Sequence, residues 1–341
     1  MSLNETKIEW CTHTWNPITG CRHGCDYCYA RRQVGRFAPH GPERPMVGED
    51  GTTGLLEGGG LPAGCYQTTR PVNLMDETGA FVRNTPYPKG FAPTLHSYKL
   101  DEPVKHQAPA RIFVCSMADL FGDWVPDDWI RAVFDACKQA PQHTYMFLTK
   151  NPARYVKLAQ RMELPTDKNF WYGSTVTDSS MPIFTSGNHN CFLSVEPLLS
   201  EFEEGGAAAL TDVDWVIIGA MTGPGCRKNQ PERRWIETIV EEAHGVSVPV
   251  FMKDSLSPIW GAGLIREYPP EMPKVTAKPA PLPRCKTCEH AEPVQQGKRG
   301  TSRSCVIGWT AEGYEDRGSR HIPGRYTRTS PPWCPRRRGK D

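Results

Sequence analysis

Three cysteines stand close together near the amino terminus, in the stretch GCRHGCDYCYARR. Cys21, Cys25 and Cys28 follow the spacing C-x3-C-x2-C, and the aromatic residue Tyr27 directly precedes the third cysteine. A glycine before each of the first two cysteines permits the sharp turns that bring three thiols of one loop together. Thiolates hold iron–sulfur clusters, and a cubane cluster normally takes four of them. Three thiols therefore predict a 4Fe–4S cluster that leaves one iron open for another ligand.

A structural zinc ion is the alternative occupant of this loop. His13, His23 or Cys11 would then complete a tetrahedral set with the three cysteines. Structural zinc sites usually close one C-x2-C pair with a second, distant pair of ligands, so the spacing favours the iron–sulfur cluster.

Six short segments rich in β-branched or aromatic residues predict buried strands further along the chain. They are RIFVCS (111–116), TYMFLT (144–149), FWYGSTV (170–176), CFLSVE (191–196), DWVIIGA (214–220) and VPVFMK (248–253). Three amphipathic segments that open near a proline predict helices. They are VPDDWIRAVFDACKQA (125–140), NPARYVKLAQRM (151–162) and PERRWIETIVEEA (231–243).

Alternation of strands and helices at this spacing predicts an α/β fold with a parallel sheet and crossover helices. A further strand near 14–19 brings the total to about seven, fewer than the eight of a closed barrel. We therefore expect an incomplete (β/α)6-7 barrel, with a doubly wound open sheet as the alternative. In both folds ligands gather at the carboxyl ends of the strands.

The cysteine loop and several further motifs resemble one known superfamily. C-x3-C-x2-C with an aromatic residue before the third cysteine, placed between a first strand and a series of β/α units, resembles the signature of radical S-adenosylmethionine enzymes. The chain more narrowly resembles a radical-SAM-like family common in bacteriophage genomes, over residues 5–32 and 90–268. The motifs are TKIEW, TWNPITGC, CYARR, RIFVCSMADLFGDWVPDDWI, FLTKNPARY, FLSVEPLL, DWVIIGAMTGPG and VFMKD.

This resemblance implies a mechanism and its cofactors. The open iron would bind S-adenosylmethionine, and reductive cleavage would give a 5′-deoxyadenosyl radical that abstracts hydrogen from a substrate. The resemblance makes Cys21, Cys25 and Cys28 the cluster ligands and places Tyr27 beside the cluster and the adenine. It also implies an electron donor of the flavodoxin or ferredoxin type.

A pair of residues that follows the second predicted strand is a candidate for binding the methionine ammonium. The family pattern has a glycine-rich stretch there, whereas this chain has CSMAD at 115–119. Ser116 and Asp119 would supply hydrogen-bond acceptors in its place. The alternative for Asp119 is a cap on the next helical turn.

Polar residues at the ends of later predicted strands complete the candidate site. Ser174, with Thr175 and Thr177, would hold a ribose through hydroxyl groups. Gly219 and the loop AMTGPGC (220–226) would approach a ligand through backbone N–H groups.

Two charged residues are further candidates for catalysis or cofactor binding. Glu196 closes an apolar strand, where an ionisable group needs a partner or a task. Lys253 closes the last strand and would meet a carboxylate or phosphate. The alternatives are a structural ion pair for Glu196 and a solvated pair with Asp254 for Lys253.

Composition divides the remaining chain into three parts beside the predicted barrel of residues 1–35 and 89–268. Residues 36–88 are rich in Gly and Pro and predict a long loop insertion. Residues 269–283 contain six prolines and predict an extended linker. Residues 284–341 predict a separate module.

This predicted module carries four cysteines in a short polar segment that cannot build a large apolar core. Zinc bound by Cys285, Cys288, Cys305 and Cys334 would stabilise it, with a second iron–sulfur cluster as the alternative. The last two cysteines depart from the C-x2-C spacing, so His290 and His321 are the alternative ligands. The segment has 13 Lys or Arg against 6 Asp or Glu, net +7, with aromatic residues among them. That pattern predicts a nucleic-acid surface, and a solvated tail is the alternative.

Composition also bounds the class of protein. The 341 residues include 13 cysteines, carry a net charge of +2, and contain no apolar run of the roughly 20 residues that a membrane span needs. We expect a soluble cytoplasmic protein with reduced thiols. The leading hypothesis is a radical SAM enzyme acting on a nucleotide base or nucleic acid. A non-catalytic, zinc-stabilised nucleic-acid-binding protein is the alternative.

Overall fold

The computed structural model divides the chain into two compact units, residues 1–275 and 276–341. It describes residues 3–37, 46–47, 55–57, 60–76, 78–202, 210–273, 291–295, 301–305 and 320–322. In the second unit the described residues form an antiparallel sheet of Ala291–Gln295, Thr301–Cys305 and Arg320–Ile322. Cys285, Cys288 and Cys334 lie outside the described residues, and Cys305 ends the middle strand, so the predicted metal site of this module stays a prediction.

The first unit is built around an eight-stranded sheet. Its strands are β1 (Asn4–Glu5), β2 (His13–Trp15), β3 (Arg111–Val114), β4 (Thr144–Thr149), β5 (Phe170–Val176), β6 (Asn190–Val195), β7 (Trp215–Ile218) and β8 (Val250–Met252). Strands β2 to β8 are all parallel, whereas β1 pairs antiparallel with β2 at one edge. The fold is therefore mixed α/β with a large parallel sheet, as the sequence predicts.

Strand order distinguishes the two predicted forms of this sheet. From β2 to β8 every strand pairs with the next one along the chain, so the order never reverses. A doubly wound sheet reverses its order at a switch point, whereas a β/α barrel keeps chain order throughout. The observed order is that of an incomplete barrel, and the sheet is open between β8 and the β1 edge.

Helices lie along the chain between the strands. They are α1 (Tyr29–Phe37), α2 (Glu102–Lys105), α3 (Asp127–Lys138), α4 (Pro152–Gln160), α5 (Arg233–Gly245) and α6 (Ser257–Trp260). Helix α3 buries Trp129, Ile130, Val133, Phe134 and Cys137, a spacing that puts one apolar stripe on the sheet. The described part of the chain has no helix long and apolar enough to cross a membrane.

Alternate residues of the strands face opposite sides of the sheet. On the side that packs with the helices, Tyr145, Phe147, Tyr172 and Leu193 belong to the large core cluster. The other side, here called the inner face, carries a separate cluster of mainly aromatic residues. It contains Trp10, Cys11, Phe113, Met146, Trp171, Phe192, Trp215, Ile217, Phe251 and Met272. This cluster covers the part of the inner face away from the carboxyl ends of the strands.

The segment 36–88, predicted as a loop insertion, contains short strands in its described parts. They are Met46–Val47, Leu55–Glu57, Tyr66–Thr68, Val72–Met75 and Phe81–Thr85. Leu55–Glu57 and Tyr66–Thr68 join Ile18–Thr19 and Thr94–His96 in a four-stranded sheet beside the cysteine loop. Each strand is too short to show a clear period of two in the sequence, which explains why none was expected.

Candidate functional site

The cysteine loop, residues 20–28, runs from strand Ile18–Thr19 to α1 and is held by its backbone. Gly20 has a φ of +88° and donates its N–H to the Met117 carbonyl at 2.9 Å. A Cβ at Gly20 would lie 2.3 Å from the Ala92 carbonyl oxygen, so only glycine fits there. Cys21 donates its N–H to the Phe91 carbonyl at 3.2 Å. The loop is therefore fixed against two neighbouring segments.

All three thiols of the loop line one cavity of about 400 Å³. Cys21, Cys25 and Cys28 are half-buried and form no disulfide. Burial is the main cause that raises the pKa of the Cys21 thiol to about 12; the Asp119 carboxylate and the other two thiols act in the same direction, and the His23 backbone opposes them. A cation bound among the three thiols would oppose this effect.

Thiol spacing distinguishes a cluster from a single metal ion. Within the described ranges, no three His, Cys, Asp or Glu side chains stand close enough to hold one ion. The two nearby alternatives for a fourth zinc ligand are engaged elsewhere: His23 bonds to Asp119 at 2.7 Å, and the Cys11 thiol donates to the Ile8 carbonyl. An iron–sulfur cluster takes thiolates and spreads them over different irons, and the three cysteines of the loop are donors of this type.

The cavity opens at the carboxyl ends of the parallel strands. On the inner face, β5 reads Trp171, Gly173, Thr175 and β6 reads Phe192, Ser194, Glu196, so each strand changes from aromatic to small to polar. A Cβ at Gly173 would lie 2.3 Å from the Phe192 ring, so this ring lies directly on the glycine. The inner face thus has an apolar floor and a polar rim.

A charged pair stands on this rim. Lys253 Nζ donates to Glu196 Oε1 at 2.5 Å, and the two side chains are 16% and 27% exposed. Lys253 is therefore not paired with Asp254, which instead bonds to Arg266. The alternative pairing with Asp254 is not the one observed, because Lys253 continues the inner face of β8 and meets Glu196, which directly follows β6. The ion pair that was the alternative for Glu196 is therefore present.

Asp119 connects the cysteine loop to the sheet. It is 6% exposed and accepts four hydrogen bonds: from His23 Nε2, from Thr149 Oγ1 at 2.8 Å, and from the backbone N–H groups of Lys150 and Phe121 at 2.9 and 3.0 Å. Both carboxylate oxygens are thus occupied. Through these bonds Asp119 positions the cysteine loop relative to β4. The sequence suggested either a ligand contact or a helix cap for this residue.

Ser116, the other candidate in CSMAD, also lines the cavity. Its hydroxyl donates to Asn16 Oδ1 at 3.2 Å, and its carbonyl accepts a hydrogen bond from the Tyr29 hydroxyl at 2.5 Å. The preceding residue, Cys115, has a φ of +59°, which is strained for a residue with a side chain. Such strain concentrates where a backbone is shaped for function.

Lys150 is a rim residue that the sequence reasoning missed. It follows β4 on the inner face, donates to the Tyr27 hydroxyl at 3.1 Å, and lies 5.2 Å from the centre of the Tyr27 ring. Burial lowers the pKa of its ammonium group, while the Cys25 thiol and the Asp119 carboxylate raise it. The signal was present, because FLTK ends an apolar strand with a charge as VFMK does.

Two other predicted residues do not line the cavity. Ser174 lies on the helix-facing side of β5, where its hydroxyl accepts a hydrogen bond from the Phe184 N–H at 2.9 Å. Thr175, one residue further, faces the cavity instead. Gly219 lies under the Glu196 side chain, and a Cβ there would be 3.0 Å from Glu196 Cδ. The following loop does reach the cavity through Ala220, Met221 and Thr222.

Fold and site together define an α/β protein with a thiol-lined cavity at the carboxyl edge of a parallel sheet. The chain belongs to the family described as Protein of unknown function (DUF5131), whose model matches residues 5–267. A comparison with curated proteins finds no match.

Two solved structures show partial similarity to the chain. One is "Spore photoproduct lyase complexed with dinucleoside spore photoproduct", with 10% identity and a TM-score of 0.36. The other is a mutant spore photoproduct lyase with bound AdoMet and dinucleoside spore photoproduct, with 11% identity and a TM-score of 0.38. Each match covers 70% of this chain and 63% of the other, so the chain spans less than two thirds of either protein.

Proposed function

We propose that this protein is a radical S-adenosylmethionine enzyme. The observation that carries the proposal is the placement of Cys21, Cys25 and Cys28 on one wall of a cavity at the carboxyl edge of the parallel sheet. Ligands of β/α barrels bind at this edge. The three thiols would hold a 4Fe–4S cluster, and the chemistry supplied there would be reductive cleavage of S-adenosylmethionine to a hydrogen-abstracting 5′-deoxyadenosyl radical.

The protein's own contribution would be binding, orientation and exclusion of water. Trp10, Phe113 and Leu148 give the cavity an apolar wall. A closed apolar wall would keep solvent and stray hydrogen donors away from a reactive intermediate and so limit side reactions. The enclosed position of the thiols beside this wall supports the proposal.

The polar rim would orient the cofactor and the substrate. Thr175 and Ser194 present hydroxyl groups, which suit a ribose. The Glu196–Lys253 pair offers one group of each sign, and an α-amino acid carries both an ammonium and a carboxylate. Tyr27 stands between Cys25 and Cys28, where its ring would pack against the adenine.

The substrate would be a nucleotide base or nucleic acid, and an electron donor of the flavodoxin or ferredoxin type would supply the electron. The basic composition of residues 284–341 supports the nucleic-acid part of this proposal. In the same segment, zinc bound by its four cysteines would stabilise the fold.

Spectroscopy of the cluster tests the proposal directly. The full chain is purified anaerobically and reconstituted with iron and sulfide, and the reduced protein is recorded by electron paramagnetic resonance with and without S-adenosylmethionine. We expect a 4Fe–4S signal that changes when S-adenosylmethionine is added, because the cofactor would bind the open iron. A signal that S-adenosylmethionine leaves unchanged would contradict the proposal.

A matched pair of variants assigns the signal to the loop. Cys25→Ala removes a thiol that lines the cavity, and we expect it to abolish the signal. Cys226→Ala removes a half-buried free thiol that lies outside the cavity wall, and we expect it to keep the signal. Equal signals from the two variants would place the cluster elsewhere.

A further inference from the structure

Five basic residues stand around the mouth of the cavity. We call Arg22, Arg31, Arg32, Arg227 and Lys228 the basic collar. Arg32 is half-buried and the other four are exposed. The collar has two parts, one on the cysteine loop and α1, and the other on the loop that follows β7.

The contacts of Arg31 place the first part at the rim of the cavity. Arg31 donates to the Cys21 carbonyl at 3.3 Å, and its guanidinium lies 4.8 Å from the centre of the Phe91 ring. Both Cys21 and Phe91 line the cavity. Arg22 follows Cys21 directly and donates to the Ala63 carbonyl at 2.7 Å.

Arg32 joins the first part of the collar to the second. Its guanidinium lies against Gly223, where an added Cβ would be 2.9 Å from Nη2. Gln230 then donates to the carbonyls of Met221 and Cys226 at 3.0 and 2.7 Å, which draws the turn Cys226–Lys228 back to a cavity residue. Arg227 and Lys228 therefore stand beside the mouth.

The positive residues of the collar form no ion pair within the described part of the chain. The cysteine loop contributes one acidic residue, Asp26. On the rim, Glu196 is already paired with Lys253. Protein surfaces usually intersperse both signs, so like charges gathered at a cavity mouth favour an anionic partner.

Aromatic residues accompany the collar. Tyr29 is 48% exposed and lines the cavity, as do Tyr27 and Phe91. Basic residues that follow a backbone, interleaved with aromatic rings on which bases stack, are typical of surfaces for single-stranded nucleic acid. An enzyme that acts on a base must also take that base out of its stack, and a single strand permits this at least cost.

We propose that the basic collar binds the phosphates of a single-stranded nucleic acid and presents one of its bases to the cavity. This inference rests on the proposed function, because it takes the cavity as the site of reaction. It adds the chain's own residues that would select the substrate, in the described first unit rather than in the basic segment 284–341.

Binding of a labelled oligonucleotide tests the collar. Fluorescence anisotropy measures the affinity of the full reconstituted chain for a single-stranded 12-nucleotide probe at several salt concentrations. Arg227→Gln/Lys228→Gln removes two exposed charges whose side chains make no hydrogen bond or ion pair in the described chain. We expect the slope of log affinity against log salt to shrink by about 1.4, which corresponds to about 25-fold weaker binding at 0.1 M salt.

A matched control variant distinguishes an effect of the collar from the effect of removing any two positive charges. Lys157→Gln/Lys168→Gln removes two exposed lysines, on α4 and before β5, that lie outside the cavity wall, and we expect it to bind as the unaltered chain does. Arg227→Glu/Lys228→Glu should weaken binding further than the Gln pair. Equal affinities for the collar and control variants would overturn the proposal.

Competition identifies the source of the phosphate. We expect unlabelled oligonucleotide to displace the probe at far lower phosphate concentration than a mononucleotide or pyrophosphate. Equal displacement per phosphate would assign the collar to a free phosphate compound and overturn the nucleic-acid proposal. If the chain binds the oligonucleotide through the collar but forms no 5′-deoxyadenosine, the collar proposal stands and the proposed enzymatic function is wrong. If the chain forms 5′-deoxyadenosine but the collar variants bind the oligonucleotide normally, the enzymatic function stands and the collar proposal is wrong.

Discussion

Lys150 bonds to Tyr27 across the cavity, with its ammonium 3.1 Å from the tyrosine hydroxyl and 5.2 Å from the ring centre. The lysine ends a strand of the sheet, whereas the tyrosine lies between two cysteines of the loop. This contact therefore fixes the position of the thiols relative to the sheet. Asp119 provides a second connection, through His23 on the loop and Thr149 on β4.

Removing the ammonium group should loosen the cysteine loop. Lys150→Met keeps the length of the side chain but loses the bond to Tyr27, and we expect roughly tenfold weaker retention of the cluster, the usual effect of losing a group that orients metal ligands. Iron and sulfide per chain, measured after timed exposure to a chelator, report this. Tyr27→Phe removes the same hydrogen bond and keeps the ring, so it should lose less. Unchanged retention in Lys150→Met would show that the contact does not position the loop.

Asp119 should matter more for stability than an exposed carboxylate. Asp119→Asn replaces a buried acceptor of four hydrogen bonds by a group that also donates, and we expect a loss of about 2 kcal/mol in the free energy of unfolding. Asp128→Asn, on an exposed carboxylate that pairs with Arg131, is the control and should lose less than about 1 kcal/mol. Urea unfolding of both variants measures the difference, and equal losses would contradict the account.

The Glu196–Lys253 pair should behave as one unit. Glu196→Gln or Lys253→Met alone leaves a poorly hydrated charge without its partner, so the double variant should lose less stability than the two single losses added together. We expect a coupling free energy of about 1 kcal/mol or more from the double-mutant cycle. The exposed pair Arg233–Glu237 on α5 is the control, with an expected coupling below about 0.5 kcal/mol. Additive losses at Glu196 and Lys253 would show that they do not interact.

Acid should destabilise the fold through His96. The ring is 1% exposed and bonds to Thr19 at 2.9 Å. Burial, and then the charge of Lys99, hold the pKa of His96 well below 6.5. Below pH 6.5 the unfolded chain therefore binds a proton at His96 that the folded chain does not bind. The contribution of the neutral ring to the free energy of unfolding is complete above pH 6.5 and is lost as the pH falls below that value.

We expect His96 to contribute a loss of about 1 kcal/mol in the free energy of unfolding between pH 7 and pH 5.5. Urea unfolding at both pH values measures it, with His96→Gln as the comparison. The variant should show a smaller loss over the same interval. A variant with the same pH dependence as the unaltered chain would mean that another group is responsible.

Much of the sheet was predictable because its strands are buried on both sides. TYMFLT and FWYGSTV match β4 and β5 residue for residue, since continuous apolar runs bounded by turn signals leave little choice. The cysteine loop was equally predictable, because its three cysteines and two glycines lie within nine consecutive residues. Strand order was less certain, because it depends on how crossovers pack rather than on any single segment.

Which residues face the cavity was harder to predict. Ser174 and Thr175 are neighbours of similar chemistry, and the parity of β5 alone decides which one faces inward. Trp171 and Phe192 set that parity, since both belong to the inner cluster. The hydrogen bonds of Lys150 to Tyr27 and of Asp119 to His23 join residues far apart in the sequence. No local sequence pattern predicts such contacts.

The formation of 5′-deoxyadenosine is the sharpest test of the proposed radical S-adenosylmethionine activity. The reconstituted chain is mixed anaerobically with S-adenosylmethionine and a strong reductant, and the nucleosides are identified by mass spectrometry. We expect 5′-deoxyadenosine and methionine from the unaltered chain and from Cys226→Ala, and neither product from Cys25→Ala. A chain that carries its full iron and sulfide but yields no 5′-deoxyadenosine, or an equal yield from Cys25→Ala, would contradict the proposed activity.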